Sequence, residues 1–226
     1  MGLLLVLAGA GASASAEQVG RVRFELADAG WRPLVSYERT LKFDSGLKQI
    51  PLKTTVFVLP GGGAVPKALL QVTSSEGGSG HSGVRWVSDK CPEPRARFYT
   101  NDHGANLTPD RRDCVIVNSA FAANAYFADA PEVLAALAEQ KVQLFKGGYS
   151  MRSTAATGTG TFMRVNLMTA SGFAGSDEPA PAGADLHEVP APLVAWGESL
   201  HRAVRESVGS LSGDLTLPPI TFQRAP

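Results

Sequence analysis

Asp102, His103, Asp110 and Asp113 form the one stretch of this chain in which carboxylates and an imidazole crowd together. Carboxylates beside an imidazole can trade a proton at neutral pH or hold a hard metal ion. The same residues also belong to turn chemistry. Asn101-Asp102-His103-Gly104 and Pro109-Asp110 are turn sequences, and Arg111-Arg112 can pair with the acids. Neither His-Glu-x-x-His nor a calcium-loop spacing is present. The cluster is therefore carried as a candidate site, and its only catalytic reading is a hydrolase or metal-dependent enzyme working through Asp102, His103 and Asp110.

The other chemical candidates are weaker. Gly80-His81-Ser82-Gly83 approaches the Gly-x-Ser-x-Gly elbow of serine hydrolases, but the second glycine falls one place early and Val84 takes the fifth position. Gly61-Gly62-Gly63 and Gly158-Thr159-Gly160 lack the Lys-Ser/Thr or helix start that a phosphate loop needs, so they read as turns. No pattern calls for a cofactor or a metal, and no residue is assigned a catalytic role. His201, beside Arg202 on an amphipathic segment, is expected at a solvated rim. Trp31, Trp86 and Trp196 are expected to anchor the core.

The chain opens on Leu3-Leu4-Leu5-Val6-Leu7-Ala8, passes through Gly, Ala and Ser, and reaches Ala14-Ser15-Ala16 just before Glu17. A short apolar core followed by a small-x-small site is what a secretory signal peptidase cuts. Residues 1–16 are therefore expected to be a signal peptide, although no basic residue precedes the apolar run. Export would place the protein in the periplasm or outside a bacterial cell. In that oxidising setting the only two cysteines, Cys91 and Cys114, are expected to form a disulfide. A bridge there would staple the turn-rich segment 92–113. No Cys-x-x-Cys redox motif is present.

Lys plus Arg and Asp plus Glu are both 21, so the formal charge is zero. That balance excludes the strong basic stripe of a nucleic-acid surface. After residues 1–16, no stretch is long enough to cross a membrane as a helix, which needs about 20 apolar residues. The expected partner is a protein or small molecule of the cell envelope.

These residues must be positioned by strands and a few helices. Period-2 alternation or short apolar runs predict strands over 22–26, 34–41, 54–59, 69–74, 84–87, 98–100, 114–118, 149–154 and 161–169. The apolar run at 114–118 reads as a central strand. Helical spacing predicts a helix over about 130–145, opened by Asp129 as N-cap and Pro131, and a second over about 192–208. Pro179, Pro181, Pro190 and Pro192 mark a Pro/Gly-rich linker over 174–192. The expected organisation is an α+β domain over 17–173, the linker, and a C-terminal helix and tail over 193–226 docked on that domain. The fold class is α+β, a mainly antiparallel sheet with about two covering helices. The function expected is a non-catalytic binding or scaffolding module.

Overall fold

The computed structural model describes residues 16–26, 30–43, 48–76, 91–104, 111–170, 172–173, 175, 188–210 and 212–222. The elbow-like Ser82, the strand over 84–87, Trp86, Asp110, most of the linker and nearly all of the leader segment lie outside the described residues.

The fold is α+β and dominated by strands. Seven form one sheet: β3 (Arg32–Phe43), β4 (Lys48–Leu59), β5 (Ala68–Ser75), β6 (Phe98–Asp102), β7 (Arg112–Phe121), β8 (Gly148–Ala156) and β9 (Phe162–Ala170). Their spatial order is β3-β4-β5-β9-β8-β7-β6, with every neighbouring pair antiparallel. A smaller sheet joins β1 (Ala16–Val19) and β2 (Val22–Glu25) as a hairpin, with β10 (Asp214–Thr216) parallel to β2. The hairpin turns at Gly20, where a Cβ would lie 2.7 Å from the Ser75 carbonyl oxygen and whose φ of 57° favours glycine.

Strand alternation sorts the large sheet into two faces. Val115, Val117, Met151, Val165, Leu167, Leu70 and Val72 point to one face, where α3 (Ala191–Gly209) and the small sheet cover them. Gly197 allows α3 to sit close: a Cβ there would lie 2.6 Å from Val117 Cγ2. Among the described residues, two short helices pack on one end of the opposite face. α1 (Ala123–Tyr126) and α2 (Pro131–Glu139) supply Phe127, Val133 and Leu137, or lead into them, and these pack on Leu34, Val56, Val58, Leu69 and Met168.

Two local readings need correction. The first helix ends at Glu139, well before 145. Lys141 takes a φ of 54° and Val142 N–H donates to the Leu137 carbonyl at 2.8 Å, closing the helix without a glycine. Val142, Leu144 and Phe145 still pack on the same apolar cluster, which is why their spacing imitated helix. The helix is capped by Ala130, without a side-chain bond, and not by Asp129, whose carbonyl accepts from Arg39 at 3.0 Å. β7 is an interior strand, paired with both β6 and β8 and one place in from the β6 edge. Its apolar run reflects burial on both faces.

Cys91 and Cys114 form the disulfide, with Cα atoms 5.7 Å apart. It ties the segment entering β6 to the buried start of β7. Reduction should cost about 3 kcal/mol through the unfolded state and lower Tm by roughly 6–12 °C. Melting curves with and without reductant, on protein whose thiols are first counted by mass spectrometry, check this. Free thiols in protein from its native compartment would contradict it.

Candidate functional site

α3 sets Glu198, His201 and Arg205 along the stripe that faces β6, β7 and β8, at spacings of three and four residues. Opposite them, β6 and the residue after it present Tyr99, Asn101 and His103 at period 2. Glu198 collects three donors: Tyr99 Oη at 2.6 Å and Asn101 Nδ2 at 3.0 Å on Oε1, and His103 Nε2 at 2.8 Å on Oε2. The His103 ring stacks on His201 with centroids 4.7 Å apart. His201 Nδ1 shares a hydrogen bond with Ser153 Oγ at 2.8 Å. Its Nε2 lies 2.6 Å from Asp113 Oδ1, in contact but off the line of a hydrogen bond. Arg205 Nε meets Asp113 Oδ2 at 3.0 Å.

The electrostatics follow from these contacts. Burial by itself would raise the Glu198 carboxyl, but hydrogen bonds from His103, Tyr99 and Asn101, with the charge of His103, hold it down to about 2. The bond to Glu198 raises His103 against the opposing effect of burial. Burial, then the Glu198 carboxylate, push the Tyr99 phenol up.

The linkage has two limbs. A carboxyl depressed from 4.5 to about 2 stabilises the fold fully above 4.5, and that stability is lost as pH falls toward 2. An imidazole raised above 6.5 stabilises it fully below 6.5, and that stability is lost as pH rises through the raised value. The Tm advantage of wild type over Glu198→Gln should therefore be greatest between pH 4.5 and 6.5 and shrink on both sides. A difference constant across the whole range would refute the linkage.

Of the residues expected to form a site, the structure brings two together. His103 and Asp113 line one cavity of about 300 Å³ with Arg111, Arg112 and Arg205. Asp102 is exposed, and its Oδ1 accepts the Gly104 N–H at 3.0 Å, a local turn contact. Asp110 lies outside the described residues. His201 is not at a rim: it is 1% exposed. Ser153, His201 and Asp113 follow one another as in a nucleophilic relay, but Ser153 is 0% exposed beneath α3. A hydroxyl that no substrate reaches is not a nucleophile. The network instead fastens the helix to the sheet. Among the described residues, no three His, Cys, Asp or Glu side chains are grouped to hold a metal ion.

The opposite face of the sheet carries a second concavity, of about 410 Å³, over β7, β8 and β9 and beside Tyr126 of α1. Its lining includes Phe98, Arg112, Tyr126, Arg152 and Arg164. The Arg152 guanidinium lies 5.3 Å from the Tyr126 ring centroid, and Tyr126 Oη donates to Gln71 Oε1 at 2.6 Å. Arg164 Nε donates to Thr154 Oγ1 at 3.3 Å. Sequence reasoning missed Ser153, Glu198 and the arginines of this face. The signal for Glu198 was present in the helical spacing of Glu198, His201 and Arg205. Arg152 and Arg164 show no motif until the register of β8 on β9 is known.

No family model, no curated protein and no solved structure matches this chain.

Proposed function

We propose that this chain is an exported, non-catalytic binding module of the bacterial cell envelope, and that its contact surface is the concavity over β7, β8 and β9 of the seven-stranded sheet. The observation that carries this reading is the 410 Å³ concavity over β7, β8 and β9, which falls in the size range of small-molecule sites. Polar and aromatic side chains converge there on a rigid strand platform. The other concentration of polar groups, under α3, is consumed by its own contacts. A Ser153 nucleophile would have to be reached through the helix that covers it.

Export is supported by the disulfide between Cys91 and Cys114, which fits an oxidising compartment. Among the described residues no helix is long and apolar enough to cross a membrane. Periplasmic or secreted protein should begin at Glu17, and N-terminal sequencing of fractionated cells tests that start.

A small-molecule screen by melting temperature tests the binding reading. A ligand present at 100 times its Kd adds about 2.7 kcal/mol of stability. Hydrogen exchange should then slow in β7 and β8 around the concavity. Hits that protect only other regions, or an absence of hits from charged and neutral compounds alike, would overturn it.

A further inference from the structure

Resting on that binding reading for what the wall encloses, we infer that His103 and Glu198 form a proton-operated clasp, which holds the edge strand β6 against α3 and, through Phe98, steadies one wall of the sheet-face concavity. β6 has five residues and, among the described strands, pairs with β7 alone. Alternation divides its side chains between the two faces. Tyr99 and Asn101 reach Glu198 on the α3 side, and Phe98 lines the concavity on the other. A change that frees Tyr99 and Asn101 therefore frees Phe98 as well.

Three side-chain bonds tie this end of β6 to α3, and all end on the Glu198 carboxylate. Asn101 does not titrate, and burial pushes the Tyr99 phenol far above neutral pH. His103 is the donor whose charge changes near neutral pH. Its side chain is 28% exposed and lines the 300 Å³ cavity, so a proton reaches it from solvent while β6 stays in place. When protonated, its Nε2 gives Glu198 a charge-assisted bond at 2.8 Å, and the bond weakens when that charge is lost. The Glu198 bond is the largest influence on His103 and raises it against burial. Other charges also face the imidazole. Asp113 on β7 favours its charge and Arg205 on α3 opposes it, but these two pair with each other at 3.0 Å. Arg111 and Arg112, where the chain enters β7, line the same cavity, and the His201 ring stacks on His103 from α3. On β6 itself, Asp102 accepts the Gly104 N–H. The sum still raises His103, so the clasp is full below pH 6.5 and loosens as pH rises through the raised value.

Hydrogen exchange of the oxidised full chain, followed from about pH 6 to about pH 9 and corrected for the intrinsic rate, tests the clasp. Opening of 98–102 in β6 should grow with pH relative to 54–58 in β4. The growth should be about tenfold for each pH unit by which the His103 midpoint stands above 6.5, and that midpoint is read from the imidazole resonances by NMR. His103→Gln should flatten the response and leave β6 open at every pH to about the level of the alkaline wild type. Glu198→Gln should flatten it as well and lower the His103 midpoint. Circular dichroism and melting curves establish that each variant is folded. Either serves alone if the other does not fold, and the wild-type comparison of midpoint with opening needs neither. Opening of β6 that does not change with pH, or that changes equally in folded His103→Gln, would overturn the clasp. Ligand protection in β7 and β8 is a separate readout. Protecting ligands beside a pH-independent β6 would overturn the clasp and leave the binding reading standing. A β6 that opens with pH, with no protecting ligand, would support the clasp and overturn the binding reading.

Discussion

Replacing Asp113 by alanine is expected to destabilise the fold by about 3 kcal/mol, because it removes a carboxylate that faces both His201 and Arg205. The side chain of Asp113 is 8% exposed and that of His201 1%, so the imidazole itself has little access to water. Deleting one partner of a buried charged contact is costly because the other partner stays desolvated. The Arg205 side chain is 51% exposed and can turn its charge to solvent, which keeps the loss at the lower end of the range for such deletions. Melting temperature should fall by roughly 6–12 °C. Arg205→Ala provides the contrast: it removes an exposed partner and should cost no more than about 1 kcal/mol. A double-mutant cycle between Asp113 and His201 should give a coupling above about 0.5 kcal/mol, since the residues touch. Equal, small effects of Asp113→Ala and Arg205→Ala would mean that the network does not fasten α3 to the sheet.

That network also shows which parts of the structure were legible in the sequence. Alternation identified the strands because their two faces differ: Val22 and Phe24 are buried while Arg23 and Glu25 are exposed. The outer half of β4 was harder to see, because Pro51 stands among Ile50, Leu52 and Lys53, and Ile50 and Leu52 pack in a small cluster of their own with Phe162 and Ala156. The apolar stripe of α3 gave the helix. It did not show that His201 and Ser207 are buried with the apolar residues, since a polar side chain in a stripe carries no mark of its partner.

Asp102 and His103 were grouped because they are adjacent in the chain. In a strand, adjacency separates side chains, and Asn101 and His103 therefore join Glu198 while Asp102 turns away. The rest depends on long-range pairing. β5 lies against β9, and Gln71 meets Asn166 in that register. No local pattern encodes such a pairing, so the arginine-bearing face appears only once the sheet is assembled.

The largest single side-chain effect is expected at Trp196, where truncation to alanine should cost about 3–5 kcal/mol. Trp196 is 1% exposed and is among the largest fully buried side chains. It sits at the middle layer, between the sheet below α3 and the C-terminal segment above. Its indole N–H donates to the Pro219 carbonyl at 2.8 Å. Its ring meets Phe173 edge-on at 5.5 Å, and Phe173 in turn meets Phe222 at 6.0 Å. One side chain thus holds the tail to the helix by a hydrogen bond and through a chain of rings. Trp196→Ala leaves a cavity against the sheet and releases the tail together. Melting temperature should fall by roughly 6–20 °C. Limited proteolysis should cut within 217–222 at protease levels that spare the wild type. Trp196→Phe separates the two contributions, because it keeps most of the ring and loses the donor. It should cost nearer 1 kcal/mol for the hydrogen bond, plus a smaller packing loss, and should still expose the tail to proteolysis. If Trp196→Phe protects the tail as well as wild type, the rings alone secure it and the bond to Pro219 contributes little.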